Sequence, residues 1–214
     1  MLVLLDAMGT LFSLRKVRTA LAAAGCPDGT LEHWFSRTLH CAATLALTGA
    51  HAPFPAVARS ALAHVLAARE LPAEALEPAL AALRELDAKA GAADCVRGLQ
   101  AAGHRVAILT NGTTEATRGL LDRTALPVGD VVSVDEVGAY KPARAPYEHA
   151  VSRLGGRPDE TVLVAAHAWD VLGAHAAGLR TVWVRDVELR WPFPDDGPPD
   201  RSAPDLSAVP AVLA

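Results

Sequence analysis

Five short apolar runs punctuate the chain: Leu2-Val3-Leu4-Leu5, Val106-Ala107-Ile108-Leu109, Val131-Val132-Ser133-Val134, Thr161-Val162-Leu163-Val164 and Thr181-Val182-Trp183-Val184. They are continuous rather than alternating, the pattern of strands buried on both faces of a parallel sheet. Between the later runs lie helical stretches over about 92–102, 114–124, 143–154 and 169–177. Gly103, Gly155 and Gly178 stand where those helices should end. Strands alternating with helices predict an α/β fold with a parallel sheet covered on both sides.

Residues 14–88 break the alternation. They carry no strand signal and predict three or four Ala/Leu-rich helices, punctuated by Pro53-Phe54-Pro55 and Pro72. A helical block inserted after the first strand is placed to cover the strand ends, where ligands bind in open sheets of this kind. The expected division is therefore a core of residues 1–13 and 89–214 with a helical cap of residues 14–88. The tail from Pro192 is rich in Pro and Asp and predicts a surface loop, with residues 206–213 docking back.

Composition narrows the function classes. The 214 residues are 51% hydrophobic with a formal charge of −4, which does not suit a protein that coats nucleic acid. No apolar run approaches the roughly 20 residues needed to span a bilayer, and the apolar start lacks a basic leader and is interrupted at Asp6. Cys26, Cys41 and Cys95 are too widely spaced for a metal knuckle or a disulfide framework. The histidines at 33, 40, 51, 64, 104, 149 and 175 show no metal-ligand spacing. The expectation is a cytoplasmic protein, monomer or homodimer, with a small-molecule partner and neither nucleic acid nor membrane.

The polar residues at the strand ends carry the chemistry. Leu4-Leu5-Asp6-Ala7-Met8-Gly9-Thr10-Leu11-Phe12 resembles the first motif of the haloacid dehalogenase superfamily of hydrolases. Ile108-Leu109-Thr110-Asn111-Gly112 resembles the second. Tyr140-Lys141-Pro142, with Tyr147 six residues after the lysine, resembles the third, and Ala165-Ala166-His167-Ala168-Trp169-Asp170 the fourth. The four occur in order and span nearly the whole chain, and the likeness is strongest to the 2-haloacid dehalogenase branch. The resemblance implies a Rossmann-like core with a helical cap, and hydrolysis of a small anionic substrate through an aspartyl-enzyme ester.

On this reading Asp6 is the nucleophile, since a carboxylate can split a displacement into two easier steps. Lys141 keeps Asp6 ionised, and Asp170 orients Lys141. Thr10 holds an Asp6 oxygen; Thr110 binds the charged group of the substrate; Asn111 matches a residue associated with the leaving halide. Met8, Phe35, Tyr147 and Trp169 complete the substrate-binding set, although Tyr147 and Trp169 also fit as packing residues. His167 stands where the branch has Asn, and its unperturbed pKa near neutrality suits it to activate the hydrolytic water.

Departures from the superfamily sharpen the expectation. Its phosphatases have an acid two residues after the nucleophile, here Met8, and a magnesium ligand four residues before Asp170, here Ala166. Magnesium wants carboxylate oxygens, so no cofactor and no metal ligand is expected. The dehalogenase branch also has an arginine after a cap tryptophan. Anchoring on Trp34 and Leu39 puts Phe35 there, and Arg37 lies about 200° further round the helix. The alternatives are a magnesium-dependent phosphatase of a small metabolite and a non-catalytic binding protein on the same fold.

Overall fold

A computed structural model describes residues 1–194, 197 and 199–214. The Asp195, Asp196 and Pro198 part of the expected surface loop lies outside the described residues. In chain order the elements are β1 (Leu2–Leu5), β2 (Phe12–Ser13), α1 (Arg15–Ala23), α2 (Thr30–Thr48), α3 (Phe54–Ala68), α4 (Leu76–Ala82), β3 (Asp87–Ala88), α5 (Ala92–Ala101), β4 (Arg105–Thr110), α6 (Thr114–Thr124), β5 (Asp130–Ser133), α7 (Arg144–Arg153), β6 (Thr161–Ala165), α8 (Ala168–Ala176), β7 (Arg180–Val184), β8 (Arg201–Ala203) and α9 (Val209–Leu213).

Six strands form a parallel sheet in the order β5-β4-β1-β6-β7-β8. The apolar runs are continuous because both faces are covered. Val3, Leu5, Ile108, Val162, Val164 and Val182 pack on one side with residues of α5, α6 and α9. Leu2, Leu4, Leu109, Leu163 and Trp183 pack on the other with residues of α7 and α8. Each such side chain, fully buried, stabilises the fold by about 1.5–3 kcal/mol.

The chain builds outward from β1, first through β4 to β5 on one side and later through β6 to β7 and β8 on the other. That reversal leaves a crevice beyond the carboxyl end of β1, the usual ligand position in an open parallel sheet. Asp6 is the first residue after β1, and its backbone N–H still donates to the Val164 carbonyl at 3.1 Å.

The inserted segment folds as α1 to α4 with short 3-10 turns at Ala73–Ala75 and Leu83–Glu85. Leu31, Trp34, Thr38 and Ala42 bury one stripe of α2, the spacing of an amphipathic helix. The Trp34 indole N–H donates to the Ala58 carbonyl at 2.8 Å and ties α2 to α3. The expectation of a strand-free insertion is corrected at its base: residues 87–88 pair antiparallel with residues 12–13. Two residues a strand are too few to register as a periodic signal. The tail is corrected as well. Arg201–Ala203 adds the edge strand β8, while Leu206, Val209 and Leu213 are buried against the core as expected.

Candidate active site

The loop leaving β1 is tightly folded. Leu11 and Phe12 both donate backbone N–H groups to the Ala7 carbonyl, at 2.9 and 3.0 Å, and the Gly9 N–H returns to the Phe12 carbonyl at 2.8 Å. Gly9 takes φ +81°, a left-handed conformation that costs other residues about 1–2 kcal/mol. The Lys89 ammonium donates to the Gly9 carbonyl at 3.0 Å and holds the loop from the base of the insertion. The loop thereby curls back over Asp6, which is only 5% exposed.

Both Asp6 oxygens are held. The Thr10 hydroxyl donates to Oδ2 at 2.7 Å and accepts from the Ala166 backbone N–H at 2.9 Å, joining the first and fourth motifs. Lys141 donates to Oδ1 at 2.8 Å. The same ammonium donates to Asp170 Oδ2 at 2.6 Å and to the Leu109 carbonyl at 3.0 Å, so all three of its N–H donors are engaged. The Tyr147 hydroxyl donates to the other Asp170 oxygen at 2.6 Å. Asp170 also sits in the first turn of α8, where the helix dipole favours negative charge.

These contacts set the charge states. Burial alone would raise the Asp6 carboxyl; the Lys141 ammonium chiefly, with the hydrogen bond from Thr10, outweighs it and holds Asp6 below its ordinary value. Burial and the Asp6 charge push Asp170 up against the opposing pull of Lys141 and Tyr147. Burial opposes charge on Lys141, but the two carboxylates raise it. Burial and the Asp170 charge raise the Tyr147 hydroxyl well above its usual value, so it remains a donor. Of the two carboxylates sharing one lysine, Asp6 is thus the more acidic and the last to take up a proton.

A small chamber opens on Asp6, walled by Met8, Phe35, Leu39, Phe54, Thr110, Asn111, Gly112 and Trp169. Asp6 is the one charged residue among them. The Asn111 Oδ1 accepts from the Lys141 backbone N–H at 3.0 Å, which turns its amide group the other way. Asn111 Nδ2 and Trp169 Nε1 are both buried with no hydrogen-bond partner. Thr110 Oγ1 accepts from the Gly112 N–H at 2.9 Å, leaving its own proton to donate. Unpartnered buried donors are costly, and three donors around one carboxylate nucleophile suit an anionic guest.

Of the residues singled out in sequence, Asp6, Met8, Phe35, Thr110, Asn111 and Trp169 line the chamber. Lys141 and Asp170 lie behind Asp6. Two expected substrate contacts are corrected. Thr10 is fully buried against Asp6, and Tyr147 is fully buried behind Asp170, so neither faces the chamber. His167 lines a neighbouring cleft with Gly9 and Phe35 instead. Its ring packs 5.2 Å from Phe35 and 5.9 Å from Trp169, centre to centre. Arg37 is absent from the chamber walls. Phe54 was visible in sequence only as part of a proline-flanked break, and Glu188, beside His167, carried no signal beyond its charge.

The magnesium site of the superfamily's phosphatases does not fit these residues. Met8 and Ala166 supply no carboxylate, both Asp6 oxygens already accept hydrogen bonds, and the Ala166 N–H is committed to Thr10. No cluster of three potential metal ligands occurs among the described residues.

Known proteins resemble this chain in sequence and in fold. The family model for haloacid dehalogenase-like hydrolases matches residues 1–178. (S)-2-Haloacid dehalogenase 1 of a Pseudomonas species (strain CBS-3) is 32% identical over 97% of this chain and 94% of its own. (S)-2-Haloacid dehalogenase 4A of Burkholderia cepacia is 32% identical over 83% and 79%. The structure of L-2-haloacid dehalogenase from Xanthobacter autotrophicus superposes with a TM-score of 0.89 at 27% identity, covering 100% of this chain and 98% of that one. The same enzyme is known with chloropropionic acid covalently bound, at a TM-score of 0.87 and 26% identity. With a family model matched over residues 1–178 and relatives 32% identical along most of their length, this chain belongs to the haloacid dehalogenase-like hydrolases.

Proposed function

We propose that the protein is a hydrolytic 2-haloacid dehalogenase that needs no metal. One observation carries the reading: Asp6, buried and held ionised, lines a small chamber together with Asn111 and Trp169, whose side-chain N–H groups are buried without partners, and with the Thr110 hydroxyl. An entering 2-haloalkanoate brings two sites of negative charge, its carboxylate and its departing halide. The Thr110 hydroxyl takes the carboxylate; Asn111 Nδ2 and Trp169 Nε1 face the halide. Met8, Phe35, Leu39 and Phe54 enclose the carbon chain and exclude water.

In the first step an Asp6 oxygen attacks C2, the carbon–halogen bond breaks and halide leaves with its electron pair. No proton moves, which suits a chamber without a general acid. Attack from the side opposite the halide inverts C2. Lys141 and Thr10 hold the carboxylate in place, and Asp170 with Tyr147 holds Lys141. In the second step water cleaves the aspartyl ester, with His167 as the base that takes its proton. The support for His167 is its place beside Gly9 with a buried, unpartnered Nε2. Two related dehalogenases are named for the S configuration, so the expected conversion is (S)-2-chloropropionate to (R)-2-hydroxypropionate.

In this reading residues 14–88 act as a cap over a core of residues 1–13 and 89–214, joined through the short pair of residues 12–13 and 87–88. A cytoplasmic location suits the three unpaired cysteines. No helix among the described residues is long and apolar enough to cross a membrane. A screen of 2-halo acids and phosphate esters, with and without Mg²⁺, tests the function. Halide release independent of Mg²⁺ is expected. Phosphate release would favour a phosphatase, and no turnover of either class would favour a binding protein.

A further inference from the structure

His167 has a partner on the side away from Gly9. Glu188 lies in the segment after β7, and its Oε2 accepts the backbone N–H of Ala168, the first residue of α8, at 3.0 Å. Its other oxygen, Oε1, stands 3.5 Å from His167 Nδ1. That is longer than a full hydrogen bond, as is common before a substrate is in place. Trp169 stacks on the ring and Phe35 packs against it at a tilt of 36°. With Nδ1–H turned to Glu188, the lone pair of a neutral ring is on Nε2, the atom that has no partner. The ring borders an open cleft shared with Gly9, Phe35, Lys89 and Asp186. Phe35 borders both cleft and chamber.

We propose that Glu188 is a positioning residue for ester hydrolysis, holding His167 in the tautomer and orientation that leave Nε2 free to accept a proton from water. This rests on the dehalogenase reading above. Water attacks the ester carbonyl carbon of Asp6 and gives one proton to Nε2. The tetrahedral centre then expels the alkoxide of the 2-hydroxy acid, which takes that proton back from the imidazolium. The remaining proton of the water leaves for solvent as the Asp6 carboxyl re-ionises beside Lys141. Glu188 stabilises the imidazolium between these events by its charge.

The charged groups around the ring are Glu188 itself, Asp6 on the chamber side, and Lys89, Asp186, Arg15 and the Arg18–Glu32 pair along the cleft. Lys89 and Asp186 are 2.6 Å apart and largely cancel. Removing the Glu188 charge therefore disfavours the imidazolium that forms during ester hydrolysis.

Glu188→Gln is the decisive change, because the amide keeps an oxygen for the Ala168 N–H while losing the charge. With (S)-2-bromopropionate in rapid-quench experiments, the bromide burst should match wild type. Ester hydrolysis should slow about tenfold, with the Asp6 adduct accumulating in intact-protein mass spectra. In a His167→Asn background the same change should alter hydrolysis less than about twofold, because the group it acts through is gone. A burst slowed as much as hydrolysis, an equal effect in the His167→Asn background, or unchanged hydrolysis would each overturn the proposal. Wild-type protein without any bromide burst would overturn the dehalogenase reading, and this mechanism with it. The ring tautomer of His167, followed by nitrogen NMR in the free protein, needs no substrate: Glu188→Gln should reduce the share of the form protonated on Nδ1, and an unmoved tautomer balance would reject the positioning role whatever the activity.

Discussion

A Cβ on Gly9 would stand 2.4 Å from His167 Nε2. The nucleophile loop and the fourth motif therefore meet at a glycine, and the imidazole occupies space that any other residue would take. Gly9→Ala should push the ring away from the ester while also straining a backbone at φ +81°. The expected outcome is a loss of about 1–2 kcal/mol in denaturant unfolding and a larger proportional loss in ester hydrolysis than in ester formation. Equal losses in both steps would mean that the ring's position does not govern hydrolysis.

Lys141 holds Asp6 and Asp170 together, and its removal leaves two buried carboxylates facing each other. Lys141→Met should destabilise the protein by about 3–5 kcal/mol. The pH dependence has a definite sign. Asp6, held below 3.8, adds stability above that pH that is lost as pH falls through its folded value. Lys141, held above 10.5, adds stability below that pH that is lost as pH rises through its folded value. In wild type the rate of halide release should stay level into mildly acidic solution. Without the lysine, burial dominates Asp6, and the acid limb of that rate should move upward. A pH–rate profile of single-turnover halide release measures the shift, and a limb that stays in place would show that Lys141 does not set the charge of Asp6.

Met8 and Ala166 remove the carboxylates a magnesium ion would need. Calorimetric titration should show no Mg²⁺ binding in the micromolar range, and chelation should leave halide release unchanged. Turnover of a phosphate ester that depends on Mg²⁺ would reverse this part of the account.

Phe35 stands in the chamber wall at the position where the family resemblance leads one to expect an arginine. Phe35→Arg should tighten product inhibition by chloride roughly tenfold, the scale of one charge-assisted hydrogen bond. Halide inhibition assays measure it directly, and an unchanged inhibition constant would place the halide away from residue 35.

Much of this was legible in the sequence because the central strands are buried on both faces. Leu2–Leu5 and residues 162–165 are apolar because no polar side chain would find a partner between the two layers, and Asp6 and Ala166 follow where they end. The pairs at residues 12–13 and 87–88 and the edge strand Arg201–Ala203 bury too little to impose a pattern. The chamber followed the motifs where a side chain ends on the substrate space, as for Asn111. It departed from them where a hydroxyl serves a neighbouring carboxylate, as for Thr10 and Tyr147. Glu188 reaches His167 across a turn of chain after β7, and no local spacing encodes that contact.

The central claim is that Asp6, not water, displaces the halide. Its most direct measurement is a single turnover in heavy-oxygen water, with enzyme in excess over (S)-2-chloropropionate. The heavy oxygen should appear in the Asp6 carboxylate, read by mass spectrometry of the peptide containing it, and the first-turnover 2-hydroxypropionate should carry no label. Label in the product hydroxyl and none on Asp6 would contradict it.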